Sequence, residues 1–159
     1  ALHKLPHENM AASSWLALGP IGTGALGMLL LGADAPAIFA ANGLPGIGDI
    51  AAGLGLVAGI TLWGFGLWWM MVAVLITLRY LRAGIPFNLG WWGFTFPLGV
   101  YSLATLKLAS ILSLTFFSIF GCVLVALLSV MWLIVARRTL QGAWRGELFV
   151  SPCIAGLKK

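Results

Sequence analysis

Apolar residues fill long, nearly unbroken stretches of the chain; from Ile50 to Leu106 only Arg79 and Arg82 are charged. A helix needs about 20 apolar residues to cross roughly 30 Å of hydrocarbon, whereas a strand of a membrane barrel needs about 10. The stretches have the helical length, so the pattern predicts an all-α, polytopic membrane protein. Four spans can be drawn, over Ser13 to Gly32, Ala52 to Leu78, Gly90 to Leu108 and Ile111 to Val135. The second and fourth exceed the minimum and are expected to tilt or protrude. Residues 1–12 read as a loop before the first span, and residues 136–159 as a tail after the last.

Polar residues mark the connections. ADAPAIFAANGLPGIGD, between the first two spans, is rich in small residues and carries Asp34 and Asp49 without a Lys or Arg. The next connection holds Arg79 and Arg82, the third is a short link from Lys107 to Ser110, and the tail is basic from Arg137 onward. Alternating them across a bilayer puts eight of the nine basic residues on one side, and Lys107 with the two aspartates on the other. Positively charged loops stay inside, so both ends of this chain are expected to be cytoplasmic, in the inner (plasma) membrane. Trp15, Trp91, Trp92 and Trp144 fall near span ends, where an amphipathic ring suits the headgroup zone. Trp63, Trp68 and Trp69 lie deeper and read as packing or lipid-facing.

Composition agrees: 61% hydrophobic, 8% charged, mean hydropathy +1.04. A soluble domain carries about 25% charged residues. The net charge of +5 sits at span ends, so it points to membrane orientation and not to nucleic acid. The lead ALHKLPHE is short, mixed in charge and proline-containing, which fits an interhelical loop better than a signal peptide. The chain is therefore expected to start within a longer protein. Cys122 lies in a span and Cys153 in the tail, which argues against a disulfide between them.

Several motifs are weaker than they look. Gly22-Thr-Gly24-Ala-Leu-Gly27 matches a dinucleotide fingerprint, but its glycines lie inside an apolar span where a pyrophosphate would have no solvent. Small residues there, and in Gly55-Leu-Val-Ala-Gly59, are better read as surfaces where helices approach closely. His3 and His7 are four apart, but Pro6 stands between them and no third ligand accompanies them, so no metal site is expected. The spans as drawn contain no acidic residue, so neither a proton relay nor an acid/base pair is available, and no enzyme or cofactor is expected. What remains is an apolar environment dotted with the hydroxyls of Thr23, Thr95, Tyr101, Ser102 and Thr105, with Lys107 and the arginines as its strong charges. Such a lining suits anions better than cations.

The third span, WWGFTFPLGVYSLATLKL, is broken at Pro97, just after Phe96. A proline inside a helix removes a hydrogen bond and bends the chain, and a bilayer tolerates this where neighbours or a cavity satisfy the freed groups. Pro20 can break the first span in the same way. FNLGWWGFTFPLGVYSLATLKLA closely resembles the tellurite-resistance/dicarboxylate transporter family, which includes TehA-like bacterial proteins, fungal malate and sulfite transporters and plant slow anion channels. GPIGTG at residues 19–24 and LWGFGLWW at residues 62–69 are similar to its bacterial members. The resemblance implies a ten-helix pore of five hairpins, of which this chain would hold helices seven to ten, and a homotrimer with one pore per subunit. It implies a phenylalanine gate at Phe96, with Pro20 and Pro97 as the helix kinks. Gly19, Gly22, Thr23, Gly24, Thr95 and Tyr101 are candidates to line the pore. The expected function is passage of small anions. A carrier of malate-like dicarboxylates or of sulfite is an alternative within the family, and a small membrane scaffold or assembly subunit an alternative outside it.

Overall fold

The computed structural model describes residues 13–81 and 89–145. The chain forms α1 (Ser13–Leu16), α2 (Leu18–Ala41), α3 (Pro45–Leu81), a 3-10 segment (Leu89–Phe94), α4 (Thr95–Leu112) and α5 (Thr115–Trp144). Four helical stretches have the length and apolarity to cross a membrane: Ser14–Ala41, Pro45–Arg79, Gly90–Leu112 and Thr115–Trp144. They form two hairpins. α2 packs on α3, α4 packs on α5, and the hairpins meet chiefly along α2 and α4.

The helices run further than the hydropathy pattern predicted. Most of the expected first connection is helical, and the reversal is confined to residues 42–44. There the N–H of Leu44 bonds to the Phe39 carbonyl and that of Gly43 to the Ala40 carbonyl, with Gly43 at φ 76°. This is a Schellman turn, and glycine suits its left-handed position. Asn42 also donates from Nδ2 to the Ile38 carbonyl, and Pro45 then opens α3 where its missing N–H costs nothing. The expected link at residues 107–110 is likewise helix. The chain turns at Ser113 and Leu114, with Ser113 at φ 53° and its N–H bonded to the Ala109 carbonyl. α5 continues past Val135 to Trp144, so Arg137 and Arg138 are helical. The lead with His3 and His7, the connection with Arg82, and Cys153 with the end of the tail lie outside the described residues.

Glycine packing explains the extension. A Cβ on Gly55 would lie 2.6 Å from the Met28 carbonyl oxygen, one on Gly59 2.6 Å from Leu29, and one on Gly48 2.8 Å from Pro36 Cα. The backbones of α2 and α3 are therefore in contact, and close approach is how helices associate when lipid removes the hydrophobic drive. That contact carries α2 through Pro36, a mid-helix proline that otherwise would end it. One consequence corrects an expectation: Asp34 lies within α2 and Asp49 within α3, so the helices do carry carboxylates. Ala33 shares a small cavity with Ile111, one residue before the end of α4, so the first hairpin projects past the second from about Asp34 onward.

Where the hairpins meet, the core is aromatic and hydrogen-bonded. Trp63 stacks on Tyr101 at 6.0 Å and meets Phe117 edge-on at 5.0 Å. Its indole N–H donates to Thr105 Oγ1 at 2.9 Å, while the Tyr101 hydroxyl donates to the Trp63 carbonyl at 2.8 Å. Among the described residues no buried side-chain polar atom lacks a partner.

Candidate functional site

Both prolines singled out from the sequence stand at the third residue of an α-helix that directly follows a break in the helical hydrogen bonding, although the backbone there stays right-handed helical at Ala17 (φ −65°, ψ −27°) and Phe94 (φ −79°, ψ −32°). Pro20 follows the single turn at Ala17 that separates α1 from α2; its ring takes the place of an N–H that would have reached Leu16. Pro97 follows the 3-10 segment, where the Thr95 hydroxyl donates to the Trp92 carbonyl at 2.9 Å. Indoles pin both breaks. Five residues before Pro20, Trp15 donates to Thr77 Oγ1 on α3 at 2.9 Å, and Trp69 donates to the Ser14 carbonyl. Five residues before Pro97, Trp92 donates to Thr139 Oγ1 on α5 at 3.2 Å. The sequence therefore holds a repeat, Trp-x4-Pro-[Ile/Leu]-Gly, whose meaning emerges only once both breaks are seen side by side.

The residue before each proline carries the difference. It is Gly19 in the first hairpin and Phe96 in the second, and they touch. A Cβ on Gly19 would sit 3.2 Å from Phe96 Cε1 and 3.8 Å from Pro97 Cγ. The Phe96 ring thus covers the break in α2, yet 63% of the residue stays exposed. On its other side an open groove of 590 Å³ runs between α4 and α5, lined by Thr95, Leu128 and Trp132 among others.

Open and packed sides separate cleanly along both helices. On α4, Phe96, Leu103 and Ser110 are exposed and Lys107 partly so, all at helical spacing on one side. Pro97, Leu98, Tyr101, Thr105 and Leu108 are buried on the other. On α2 the exposed side holds Pro20, Thr23, Leu30 and Asp34, with Gly27 open between them. Gly19 meets Phe96, Gly22 meets Val100 and Tyr101, and Ala33 lies by Ile111, so α2 and α4 run side by side in one direction. Their open sides form a continuous strip of small, hydroxyl and apolar residues, with Lys107 about three turns beyond Phe96 and Asp34 near the end of α4.

The candidates therefore divide. Gly19, Thr23 and Phe96 lie at the strip, and Thr95 lies beside Phe96. Gly22 does not: a Cβ there would meet the Tyr101 backbone nitrogen at 3.1 Å, so it sets the approach of the two hairpins. Gly24 faces Leu62 on α3. Tyr101, expected at the pore, is fully buried with its hydroxyl committed to Trp63, because the phenol needs an acceptor that α3 supplies. Lys107 was read as part of a link. Its place in the strip follows from counting three turns from Phe96, since both residues lie within the third span as drawn. Among the described residues no cluster of potential metal ligands is present.

A family model described as voltage-dependent anion channel (SLAC1) matches residues 1–140. The chain belongs to this family. Its relatives include the sulfite efflux pump of Trichophyton rubrum, 35% identical over 94% of this chain and 40% of the pump. That of Arthroderma benhamiae matches equally well. An uncharacterized transporter of Methanocaldococcus jannaschii is 32% identical over 92% of this chain and 40% of the transporter. The chain spans about 40% of the length of the curated relatives it matches. No solved structure matches it. The SLAC1 family comprises channels and transporters, which agrees with a multi-pass chain whose open strip is uncharged apart from Lys107 and Asp34.

Proposed function

We propose that this chain supplies one wall of an anion pathway, with the strip of α2 and α4 facing the solute and Phe96 as its gate. The observation that carries this reading is the Phe96 ring laid over Gly19 at a paired break in two side-by-side helices. The ring has a neighbouring groove to swing into, so opening needs a rotamer change and not a movement of helices. Selectivity would come from pore width and the positive potential of Lys107, without a tight site. Small oxyanions such as sulfite are favoured by the two fungal relatives. A dicarboxylate carrier would be expected to place arginine in the pore, and among the described residues the strip holds none. The scaffold reading loses its motive, since family membership accounts for the glycine-rich faces. The whole protein is read as a homotrimer of the plasma membrane, with the arginine-bearing ends of α3 and α5 cytoplasmic.

The test is Phe96→Ala in the complete protein, reconstituted and assayed for chloride, nitrate and sulfite flux. The expected rise is about tenfold, corresponding to about 1.4 kcal/mol off the barrier. Unchanged flux for all three anions overturns the gating role.

A further inference from the structure

A second cavity, of 390 Å³, lies away from the strip, between the last turns of α3 and the middle of α5. Leu98 forms part of its floor; two residues from Phe96 on a helix, it points to nearly the opposite side of α4. The wall is apolar apart from Thr77 and includes the rings of Trp15 and Trp91. The one hydroxyl nearby, on Thr77, is already engaged, accepting from Trp15 and donating to the Ala73 carbonyl. The volume falls within the roughly 300–1,000 Å³ of small-molecule sites.

Charge stands beside it. On α5, Leu127, Met131 and Ile134 line the cavity, and Arg138 continues the same stripe one turn further on. The Arg138 guanidinium lies 5.9 Å from the centre of the Trp91 ring, which itself lines the cavity. On α3 the lining ends at Leu78, and exposed Arg79 follows it. An apolar chamber in a membrane bundle, with a cation over one of its lining rings, matches one ligand chemistry: a hydrocarbon tail joined to an anionic headgroup.

We propose that the cavity between α3 and α5 binds one acyl chain of an anionic bilayer phospholipid whose phosphate is met by Arg138. A tail alone would make the cavity indifferent to headgroup; one well-placed arginine gives a preference of about fivefold.

The experiment counts phospholipids retained by the intact purified protein, by native mass spectrometry, from mixed micelles with equal phosphatidylglycerol and phosphatidylcholine. One phosphatidylglycerol per chain is expected, favoured about fivefold over phosphatidylcholine. Arg138→Gln should bring that ratio close to one. Arg137→Gln, which removes the same charge one position off the stripe, should keep most of the preference. Met131→Trp, which fills the chamber and leaves the charge, should release lipid of either kind. Equal retention of the two lipids by the unaltered protein overturns the proposal. So does an equal effect of both arginine changes, or no retained lipid at all, as when another helix of the same protein covers the cavity.

Discussion

The two hairpins solve one problem with the same parts and differ most at one position. Each begins with a tryptophan, breaks its first helix before a proline five residues on, and anchors the indole on a threonine of its second helix. In the first hairpin the residue beside the proline is glycine, and in the second it is phenylalanine whose ring rests on that glycine. The comparison teaches that the break is a mount, and that the side chain placed on it is a separate choice. A side chain on Gly19 would crowd the Phe96 ring, whose Cε1 a Cβ there would approach to 3.2 Å.

Exchanging the two residues would break the comparison most severely. Phe96→Gly should raise anion flux about tenfold, and the double variant Gly19→Phe/Phe96→Gly should return it to within about threefold of the original. Flux assays on reconstituted protein decide it. A double variant as leaky as Phe96→Gly would show that the mounts are not equivalent.

The next difference lies further along the strip, where Lys107 on α4 stands opposite Leu30 on α2 in the side-by-side register. A cation in a low-dielectric pathway raises local anion concentration, here against the Asp34 carboxylate about one turn further along, and salt screens it over about 8 Å at physiological strength. Lys107→Gln is expected to lower anion flux about fivefold in dilute salt and by less in concentrated salt. Loss that is independent of salt would assign Lys107 to packing.

The glycines two residues after each proline sharpen the contrast in stability. Gly22 faces the backbone of Tyr101, whereas a Cβ on Gly99 would have only Leu128 Cδ2 at 3.7 Å. Gly22→Ala should therefore cost about 1–2 kcal/mol, and Gly99→Ala less than about 0.5 kcal/mol. Thermal unfolding in detergent reads both. Equal costs would mean that the hairpins do not meet along α2.

Much of this was legible in the sequence because membrane spans announce themselves by length. Their ends were not. ADAPAIFAANGLPGIGD looks like a loop by composition, and it is helical because Gly48 and Gly55 let α3 lie against α2, a contact no local signal contains. The two prolines stood out in the sequence because their chemistry is local, and the structure places each at the third residue of its helix. Phe96 stood out through its neighbour Pro97 and through the family resemblance. Tyr101 was misplaced for the opposite reason: a hydroxyl in a span looks available until its acceptor, the Trp63 carbonyl on another helix, is known. Lys107 shows the limit from another side, because it stood where the drawn span met the expected link, and only the continuation of α4 to Leu112 settles that it belongs to a helix face.

The smallest difference concerns the anchors. Trp15 is 6% exposed and bonds to Thr77 at 2.9 Å, whereas Trp92 is 37% exposed and bonds to Thr139 at 3.2 Å. A hydrogen bond between membrane helices is worth about 0.6 kcal/mol on average and about 1.7 at most, and burial moves a pair toward the upper figure. Trp15 also meets Phe94 edge-on at 5.5 Å, so its ring ties the first break to the 3-10 segment that precedes the second. Trp15→Phe should accordingly cost about 1–2 kcal/mol and Trp92→Phe about 0.5 kcal/mol, measured by the same unfolding. The separation matters for the gate: if Trp92 proved the costlier anchor, the rigid break would be the one bearing Phe96. The first hairpin would then be the moving wall, opening by withdrawing Gly19 from beneath a stationary ring.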